Sequence, residues 1–417
     1  MRPATPGWWL PTALAVIALV GVLAGAAPAA RAAGPHLSAR NAILFAPQTG
    51  QTLYAFRAEQ EVAIASTTKL MTALLTLEHV HRLGTLFTQN NYYPASVDSQ
   101  IGLVPGERMS VHDLLLALML PSADDAAEDL AYNIGHGSVG RFVGMMDARA
   151  RALGLRHTHY STPSGLDTPG NYSTAADLVR LAAYDLSHSR YFARLVALPR
   201  AVLRSGSHVR SVVNRNTLVS EYPWISGVKT GHTAAAGYVL VASGHRNGMT
   251  LVSAVLGTSS EAARDANTLA LLDYGFAHNR LVSPVQAGAV LARPTVRYRP
   301  GGHAALVAAR GLTRVVARSA AVRVEVSAPH QLTGPLRRHT RIGTATVLVG
   351  GRPVARIPLL LAQAVPAVSS LTIATRFITR PVMLLLLIAA AGSVLALAFG
   401  VRQRRRARAG GGGLKAA

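Results

Sequence analysis

The interpretation of the chain starts from residues 65–79, which read Ala-Ser-Thr-Thr-Lys-Leu-Met-Thr-Ala-Leu-Leu-Thr-Leu-Glu-His. The apolar residues recur at the spacing of one helix face, which predicts a helix with Ser66 in its first turn. Residues three apart share a face, so the Lys69 amine would lie beside the Ser66 hydroxyl. A serine hydroxyl needs an adjacent base to become a nucleophile. A lysine can be that base where burial or a neighbouring cation lowers its pKa.

Lysine is rare in this chain, which gives weight to the two lysines of its central part. Of the 42 basic residues, 39 are arginine, and the only lysines are Lys69, Lys229 and Lys415. On its own a Ser-x-x-Lys pattern is weak, since a capped surface helix with a solvated lysine would show it as well. The rarity of lysine favours a chemical role for Lys69.

The second of these lysines stands in Lys229-Thr230-Gly231, with apolar residues on both sides. This pattern predicts a strand whose edge faces a cleft, although a surface turn would also fit it. A lysine and a hydroxyl on such an edge would bind a carboxylate. The backbone N–H of His232 could point at an oxyanion.

A third element, Ser122-Ala123-Asp124, lies between two predicted helices, 56 residues after Ser66. A serine at a helix start is most often an N-cap, so this element is uninformative when taken alone. The order of the three elements changes that. The three motifs Ser-x-x-Lys, Ser-x-Asp and Lys-Thr-Gly would rarely occur in this order by chance, because together they contain both central lysines.

Together these elements resemble the penicillin-binding serine D,D-peptidases, and the surrounding sequence is most similar to the low-molecular-weight D-alanyl-D-alanine carboxypeptidases. The resemblance covers about residues 36–280 and rests on five stretches: 65–72, 120–127, 162–167, 172–178 and 227–233. It implies an α+β, β-lactamase/transpeptidase-like fold, with a central antiparallel sheet and a helical part. It also implies a small β-rich domain after the catalytic one and a C-terminal transmembrane anchor.

The resemblance further implies the catalytic roles. Ser66 would be acylated, Lys69 would take its proton, and Ser122 would pass a proton to the leaving D-alanine. The substrates would be the pentapeptide stems of peptidoglycan. β-Lactam antibiotics would acylate the same serine.

Substrate binding would fall to the third motif and its surroundings. Lys229 and Thr230 would hold the terminal carboxylate, and the backbone N–H groups of Ser66 and His232 would form the oxyanion hole. Arg264 lies in a family-like stretch where an arginine supports carboxylate binding, although a solvated helix arginine is the alternative. The residues expected to contact substrate are Asp124, Lys229, Thr230, Gly231, His232 and Arg264.

Asp124 departs from the family pattern, which usually has asparagine there. An amide can donate a hydrogen bond to substrate, whereas an ionised carboxylate only accepts. Asp124 would pair with Lys69 or Lys229 and could raise the lysine pKa, which opposes its use as a base. We expect an active enzyme. The alternatives are an impaired or non-catalytic cell-wall-binding protein, and a serine β-lactamase, for which the glutamate of the class A pattern is not apparent.

Composition and the two ends of the chain predict an exported, membrane-anchored protein. The 417 residues contain no cysteine, which excludes thiol catalysis, thiolate metal sites and a disulfide framework. Residues 1–32 have the layout of a secretory signal peptide, with an uncleaved anchor as the alternative. Residues 381–399 carry no charge and are long enough to cross the membrane as a transmembrane helix. The basic tail, 400–417, would lie in the cytoplasm, so residues 33–280 would form an extracytoplasmic catalytic domain.

Positive charge is concentrated in the last third of the chain. Of the net +23, residues 281–380 carry +13, from 14 arginines against the single Glu325. Short alternating apolar runs predict an Arg-rich β-domain at 281–365, followed by a linker at 366–380. Anionic wall polymers are natural partners for that charge outside the membrane, and no nucleic acid is expected. No metal or other cofactor is expected either, because the paired histidines at 79/81 and 157/159 lack the pattern of a metal site.

Overall fold

The computed structural model describes residues 34–90, 92–299, 301–378 and 381–410. The signal peptide predicted at residues 1–32 and the end of the basic tail, residues 411–417, lie outside this part of the chain. Residues from Pro35 onward belong to one unit.

The first part of the fold, up to His278, contains both strands and helices. Its strands are β1 (Asn41–Ala46), β2 (Gln51–Phe56), β3 (Leu86–Thr88), β4 (Arg108–Ser110), β5 (Arg200–Leu203), β6 (Arg210–Val213), β7 (Ile225–Thr233), β8 (Gly237–Arg246) and β9 (Met249–Thr258). Its helices are α1 (Lys69–His79), α2 (Val111–Met119), α3 (Asp124–Ile134), α4 (Val139–Ala152), α5 (Ala175–His188), α6 (Arg190–Val196), α7 (Leu218–Glu221) and α8 (Glu261–His278). A 3₁₀ turn at Ala65–Thr68 leads directly into α1.

A five-stranded antiparallel sheet, in the order β2-β1-β9-β8-β7, forms the centre of this part. Successive side chains of a strand point to opposite faces. Val239 and Val241 of β8 belong to the core shared with the helical part, whereas Leu240 and Ala242 belong to the core shared with α8. Burial on both faces explains why this strand is a continuous apolar run. Among the strands of the described residues, the Lys-Thr-Gly strand β7 pairs with β8 alone, so its other edge is open beside the 3₁₀ turn.

The helical part packs around α1, α2 and α3. The helix predicted from residues 65–79 is present as the 3₁₀ turn and α1, and Leu70, Ala73 and Leu74 on its apolar face are buried. Leu114 and Leu118 of α2 are fully buried against them. Each such leucine contributes about 1.5–3 kcal/mol through burial. This is the α+β arrangement that the sequence predicts.

The second part is rich in strands, as expected. The strands are β10 (Asn279–Val285), β11 (Val290–Ala292), β12 (Thr295–Val296), β13 (Leu306–Ala308), β14 (Leu312–Ala317), β15 (Val322–Ser327), β16 (Gln331–Leu332), β17 (Arg341–Val349) and β18 (Arg352–Leu361). Five of them form a sheet in the order β11-β13-β18-β17-β15. β17 and β18 are joined by Gly350-Gly351, both at positive φ, which is the two-residue hairpin turn for which glycine is favoured.

The β-rich part has its own apolar core and is held to the first part by β14. Leu306, Ile357 and Leu359 are fully buried in that core. Val315 of β14 packs in the α8 core of the first part, and Gln51 of β2 exchanges two hydrogen bonds with the Val315 backbone, at 2.8 and 3.1 Å. β10 begins at Asn279, so it crosses the domain boundary predicted between residues 280 and 281.

The C-terminal segment is helical. The stretch predicted to be a linker, 366–380, contains a helix, α9 (Ser370–Ile378), with Leu371 and Phe377 exposed. The last helix, α10 (Pro381–Gly410), is longer than the predicted 19-residue span because it continues into the basic tail. Its stretch Pro381–Arg406 has the length and apolar composition of a membrane-spanning helix and is not covered by other parts of the protein.

Candidate active site

The 3₁₀ turn before α1 carries Ser66 at the junction of the central sheet and the helical part. Ala65, the residue before it, has a φ of +47°, a backbone conformation that costs energy for a residue with a side chain. Gly231 of β7 packs directly against this turn, since a Cβ at that position would lie 2.8 Å from the Ser66 nitrogen. Gly165 approaches from the other side, and a Cβ there would collide with the Ala65 carbonyl. Two glycines therefore bring β7 and the 162–167 loop against the nucleophile turn.

Lys69 is fully buried and contacts Ser66, as the helical spacing predicts. Its Nζ donates to Ser66 Oγ at 3.0 Å, to Asp124 Oδ1 at 2.5 Å and to the Ser164 carbonyl oxygen at 2.7 Å. An ammonium has three N–H donors, so these three acceptors match the protonated form. A neutral amine has two N–H donors and a lone pair. Asp124 and Ser164 would hold those two donors and leave the lone pair directed at the Ser66 hydroxyl.

Burial dominates the protonation of this lysine. Desolvation lowers the pKa of Lys69 below its usual value, and the Asp124 carboxylate acts in the opposite direction. Arg215 adds to the lowering. Asp124 therefore raises the lysine pKa and opposes its use as a base, as expected, but burial outweighs this effect and the net pKa of Lys69 is still lowered.

The middle motif lies between α2 and α3, as predicted. Ser122 has a φ of +70° and is buried, and its Oγ has no hydrogen-bond partner among the described residues. Ala123 occupies the N-cap position of α3, so Ser122 is not the helix cap. Asp124 is the first residue of α3, where the positive end of the helix dipole favours a carboxylate. The Ser122 hydroxyl is thus free to bond a ligand.

The Lys-Thr-Gly motif lies on β7 rather than in a surface turn. Lys229 is buried, and its Nζ donates to the Thr230 carbonyl oxygen at 3.1 Å. Burial lowers the pKa of Lys229 well below its usual value, with Lys69 and Arg215 adding to the effect. His232 is exposed on the same strand and stacks on Tyr238, with ring centroids 4.0 Å apart.

Arg264 is a buried arginine on α8, which overturns the alternative of a solvated helix residue. It is 2% exposed, and its guanidinium donates to both oxygens of Asp265, at 2.8 and 3.1 Å. Its charge contributes to the lowered pKa of Lys229. Its hydrogen bonds hold it on α8, so it acts on the site through its charge.

Two further residues belong to the site although no predicted role covered them. Ser164, in the 162–167 stretch, supplies the carbonyl that accepts from Lys69, and Thr72 Oγ1 holds that loop on α1 through the Pro163 carbonyl at 2.6 Å. Arg215 is exposed and acts on both lysines. Its neighbour Asn214 braces the segment before β7 by donating to the carbonyls of Val196 and Leu198. The signal for Arg215 was its position inside the Asn-Arg-Asn stretch.

Glu128 of α3 is a third such residue, and no motif marked it. It is 9% exposed and lies one helical turn after Asp124. Burial, together with the Asp124 carboxylate, raises the pKa of Glu128 to about 7, while Lys69 opposes the rise. A buried acid whose pKa is raised toward neutrality near Lys69 is a feature that composition and spacing could not reveal.

Comparison with known proteins agrees with this geometry. The profile of the D-alanyl-D-alanine carboxypeptidase family matches residues 28–260. A D-alanyl-D-alanine carboxypeptidase of Streptomyces sp. (strain K15) is 34% identical over 271 residues, which are 61% of this chain and 92% of that protein. The D-alanyl-D-alanine carboxypeptidase DacC of Escherichia coli is 30% identical and covers 79% of this chain and 84% of its own length. The crystal structure of penicillin-binding protein 5 from Haemophilus influenzae is similar with a TM-score of 0.65 and 26% identity, over 80% of this chain and 99% of that one.

Proposed function

The chain belongs to the D-alanyl-D-alanine carboxypeptidase family of serine peptidases, and we propose that it removes the terminal D-alanine of peptidoglycan pentapeptide stems through an acyl-enzyme on Ser66. The observation that carries this assignment is the contact of the buried Lys69 amine with Ser66 Oγ at 3.0 Å. A family of this activity needs a serine with an adjacent base, and this pair supplies both.

In the first half of the reaction the neutral Lys69 amine takes the proton of the Ser66 hydroxyl. Ser66 Oγ then attacks the carbonyl carbon between the two D-alanines. The negative charge on the carbonyl oxygen is stabilised by the backbone N–H groups of Ser66 and His232. The packing of Gly231 on the Ser66 nitrogen supports this pairing, since it brings the two backbones together.

The leaving D-alanine nitrogen needs a proton, and Ser122 delivers it. The support is that its Oγ is buried beside the site with no other hydrogen-bond partner among the described residues. Ser122 donates its proton to the amine and recovers one from Lys69. Water then attacks the acyl-enzyme and frees Ser66 for the next turnover.

The terminal carboxylate of the substrate binds to Lys229 and Thr230, with Arg215 at the exposed rim and Arg264 contributing its charge from α8. Support comes from the concentration of positive charge, because Lys69, Arg215 and Arg264 all lower the pKa of Lys229. A substrate carboxylate would relieve that repulsion. Binding of an anion therefore raises the pKa of Lys229 and stabilises its ammonium form.

The catalytic domain faces the cell wall and is tethered by α10, with the basic tail in the cytoplasm. The arginines after the apolar stretch, at 402, 404, 405, 406 and 408, support this orientation through the positive-inside rule. The Arg-rich β-domain, residues 281–365, then meets anionic polymers of the wall. Its 12 arginines against the single Glu325, a charge of +11, support that contact.

Release of D-alanine tests the function. The full-length protein in detergent should release D-alanine from a free pentapeptide, Ser66→Ala should release none, and Thr67→Ser should retain activity because its hydroxyl still reaches the Ile64 carbonyl. Wall binding without D-alanine release would identify a non-catalytic protein. Fast, repeated hydrolysis of penicillin without D-alanine release would identify a β-lactamase.

A further inference from the structure

Glu128 occupies a position from which it acts on Lys69 without touching it. It follows Asp124 by four residues on α3, and residues four apart lie on the same helix face. Asp124 contacts Lys69 at 2.5 Å, so Glu128 lies next along the face that meets the lysine. Its carboxyl makes no hydrogen bond or ion pair within the described part of the chain, and the residue is 9% exposed. No neighbouring side chain forms a hydrogen bond with this buried carboxyl, so ionising it costs free energy.

The groups facing Glu128 come from three elements. Asp124 lies on its own helix, Lys69 on α1, and Tyr92 in the loop that covers the start of α3. Burial and then Asp124 raise the pKa of Glu128 to about 7, while Lys69 works against this. Burial raises the pKa of Tyr92, and the carboxylate of Glu128 adds to the rise. Glu128 in turn is among the groups that raise the pKa of Lys69.

We propose that Glu128 is a positioning residue for the acylation step, and that it acts on the protonation of Lys69 from the helix face on which Asp124 contacts the lysine. Ionisation of Glu128 adds a second anion to the same face and holds the lysine as its ammonium. Since an ammonium cannot take the proton of Ser66, ionised Glu128 slows acylation. The inference rests on the proposed role of Lys69 as the base.

This arrangement couples two titrations. Once Glu128 has lost its proton, its negative charge delays the loss of the proton from Lys69 as the pH rises. The rise in acylation rate that follows the loss of the Lys69 proton therefore occurs at a higher pH than burial of Lys69 alone would produce. Removing the carboxyl should move that rise to lower pH, so acylation should be faster than in the wild type at a pH on the rising limb.

The test measures acylation of the full-length, detergent-solubilised protein by a fluorescent penicillin from pH 5 to 10. Glu128→Gln and Glu128→Met both remove the anion at similar volume, so both should shift the rise to lower pH. Glu128→Asp keeps a carboxyl and should restore the original position. The matched control is Asp129→Asn, because Asp129 is buried on the same helix with a pKa also raised to about 7 by burial, but is influenced by Asp125 and Glu107 rather than by Lys69.

The outcomes separate the inference from the proposed function. If wild type is labelled at Ser66 and the Gln and Met profiles superpose on it, the positioning role is wrong. If Glu128→Gln accumulates the adduct while acylation keeps its profile, Glu128 serves hydrolysis of the acyl-enzyme instead, which also overturns the proposal. If wild type forms no adduct at any pH, the base assignment of Lys69 fails and the inference fails with it.

Discussion

Replacement of Asp124 by asparagine removes the carboxylate that contacts Lys69 at 2.5 Å. For two point charges at that distance and an effective dielectric constant of about 20, the attraction is about 7 kcal/mol, which is an upper bound. Breaking one side of a buried ion pair costs about 3–5 kcal/mol in practice. The asparagine oxygen still accepts from Nζ and restores part of this. We therefore expect the pKa of Lys69 to fall further below its usual value, because the part of this attraction that the asparagine oxygen does not restore no longer favours the ammonium.

The sign of the effect on activity follows from the role of the lysine. Lower pKa means that more of the amine is neutral at a given pH, so kcat/KM at neutral pH should rise and its alkaline onset should move to lower pH. The asparagine amide can also donate to the substrate, which favours binding. The assay is the pH profile of kcat/KM for D-alanine release from a pentapeptide, with Asp129→Asn as the control. Loss of activity, or an onset at unchanged or higher pH, would show that the carboxylate has a catalytic role of its own.

Three further predictions concern packing, stability and topology. Gly231→Ala should slow acylation of Ser66 at least about tenfold and destabilise the fold by about 1–3 kcal/mol, because its Cβ meets the Ser66 nitrogen at 2.8 Å; labelling rates and thermal melts measure this. The buried Asp129, whose pKa is raised from 3.8 to about 7, contributes its full stabilising effect below about pH 4 and loses it progressively as the pH rises to about 7. Asp129→Asn should therefore stabilise the protein by up to about 4 kcal/mol at pH 8 and hardly at pH 4, and equal melting shifts at both would contradict this. A chain ending at residue 369 should be soluble and release D-alanine, and its binding to anionic wall polymer should weaken with salt, since exposed charges are screened over about 8 Å; inactivity on free peptide, or salt-independent binding, would be the contrary result.

The predictable part of the fold is the part that local pattern controls. The apolar period of residues 70–77 predicts α1, and the glycine pair 350–351 predicts the β17–β18 hairpin, because spacing and turn chemistry act over a few residues. The helix α9 inside the predicted linker was missed, since a short segment between two clear elements has little pattern of its own. β10 crosses the predicted boundary because its pairing with β14 joins residues 27 to 38 positions apart, which local pattern does not show.

The site could be predicted as far as its residue types, but not its electrostatics. Ser66, Lys69 and Lys229 stand in motifs whose spacing carries the chemistry. The net pKa of Lys69 depends on complete burial, which the tertiary structure sets and no motif shows. Glu128 and Arg215 act through space from other elements, so only the folded arrangement could identify them.

The position of the acyl group tests the central claim most directly. Trypsin should release Ser66 in the peptide Ala58–Lys69, since Arg57 precedes it and Lys69 ends it. After incubation of the full-length protein with a β-lactam, mass spectrometry should find the adduct in this peptide and fragmentation should assign it to Ser66. An adduct in the peptide that carries Ser122, or no adduct at saturating drug, would contradict the assignment of Ser66 as the nucleophile.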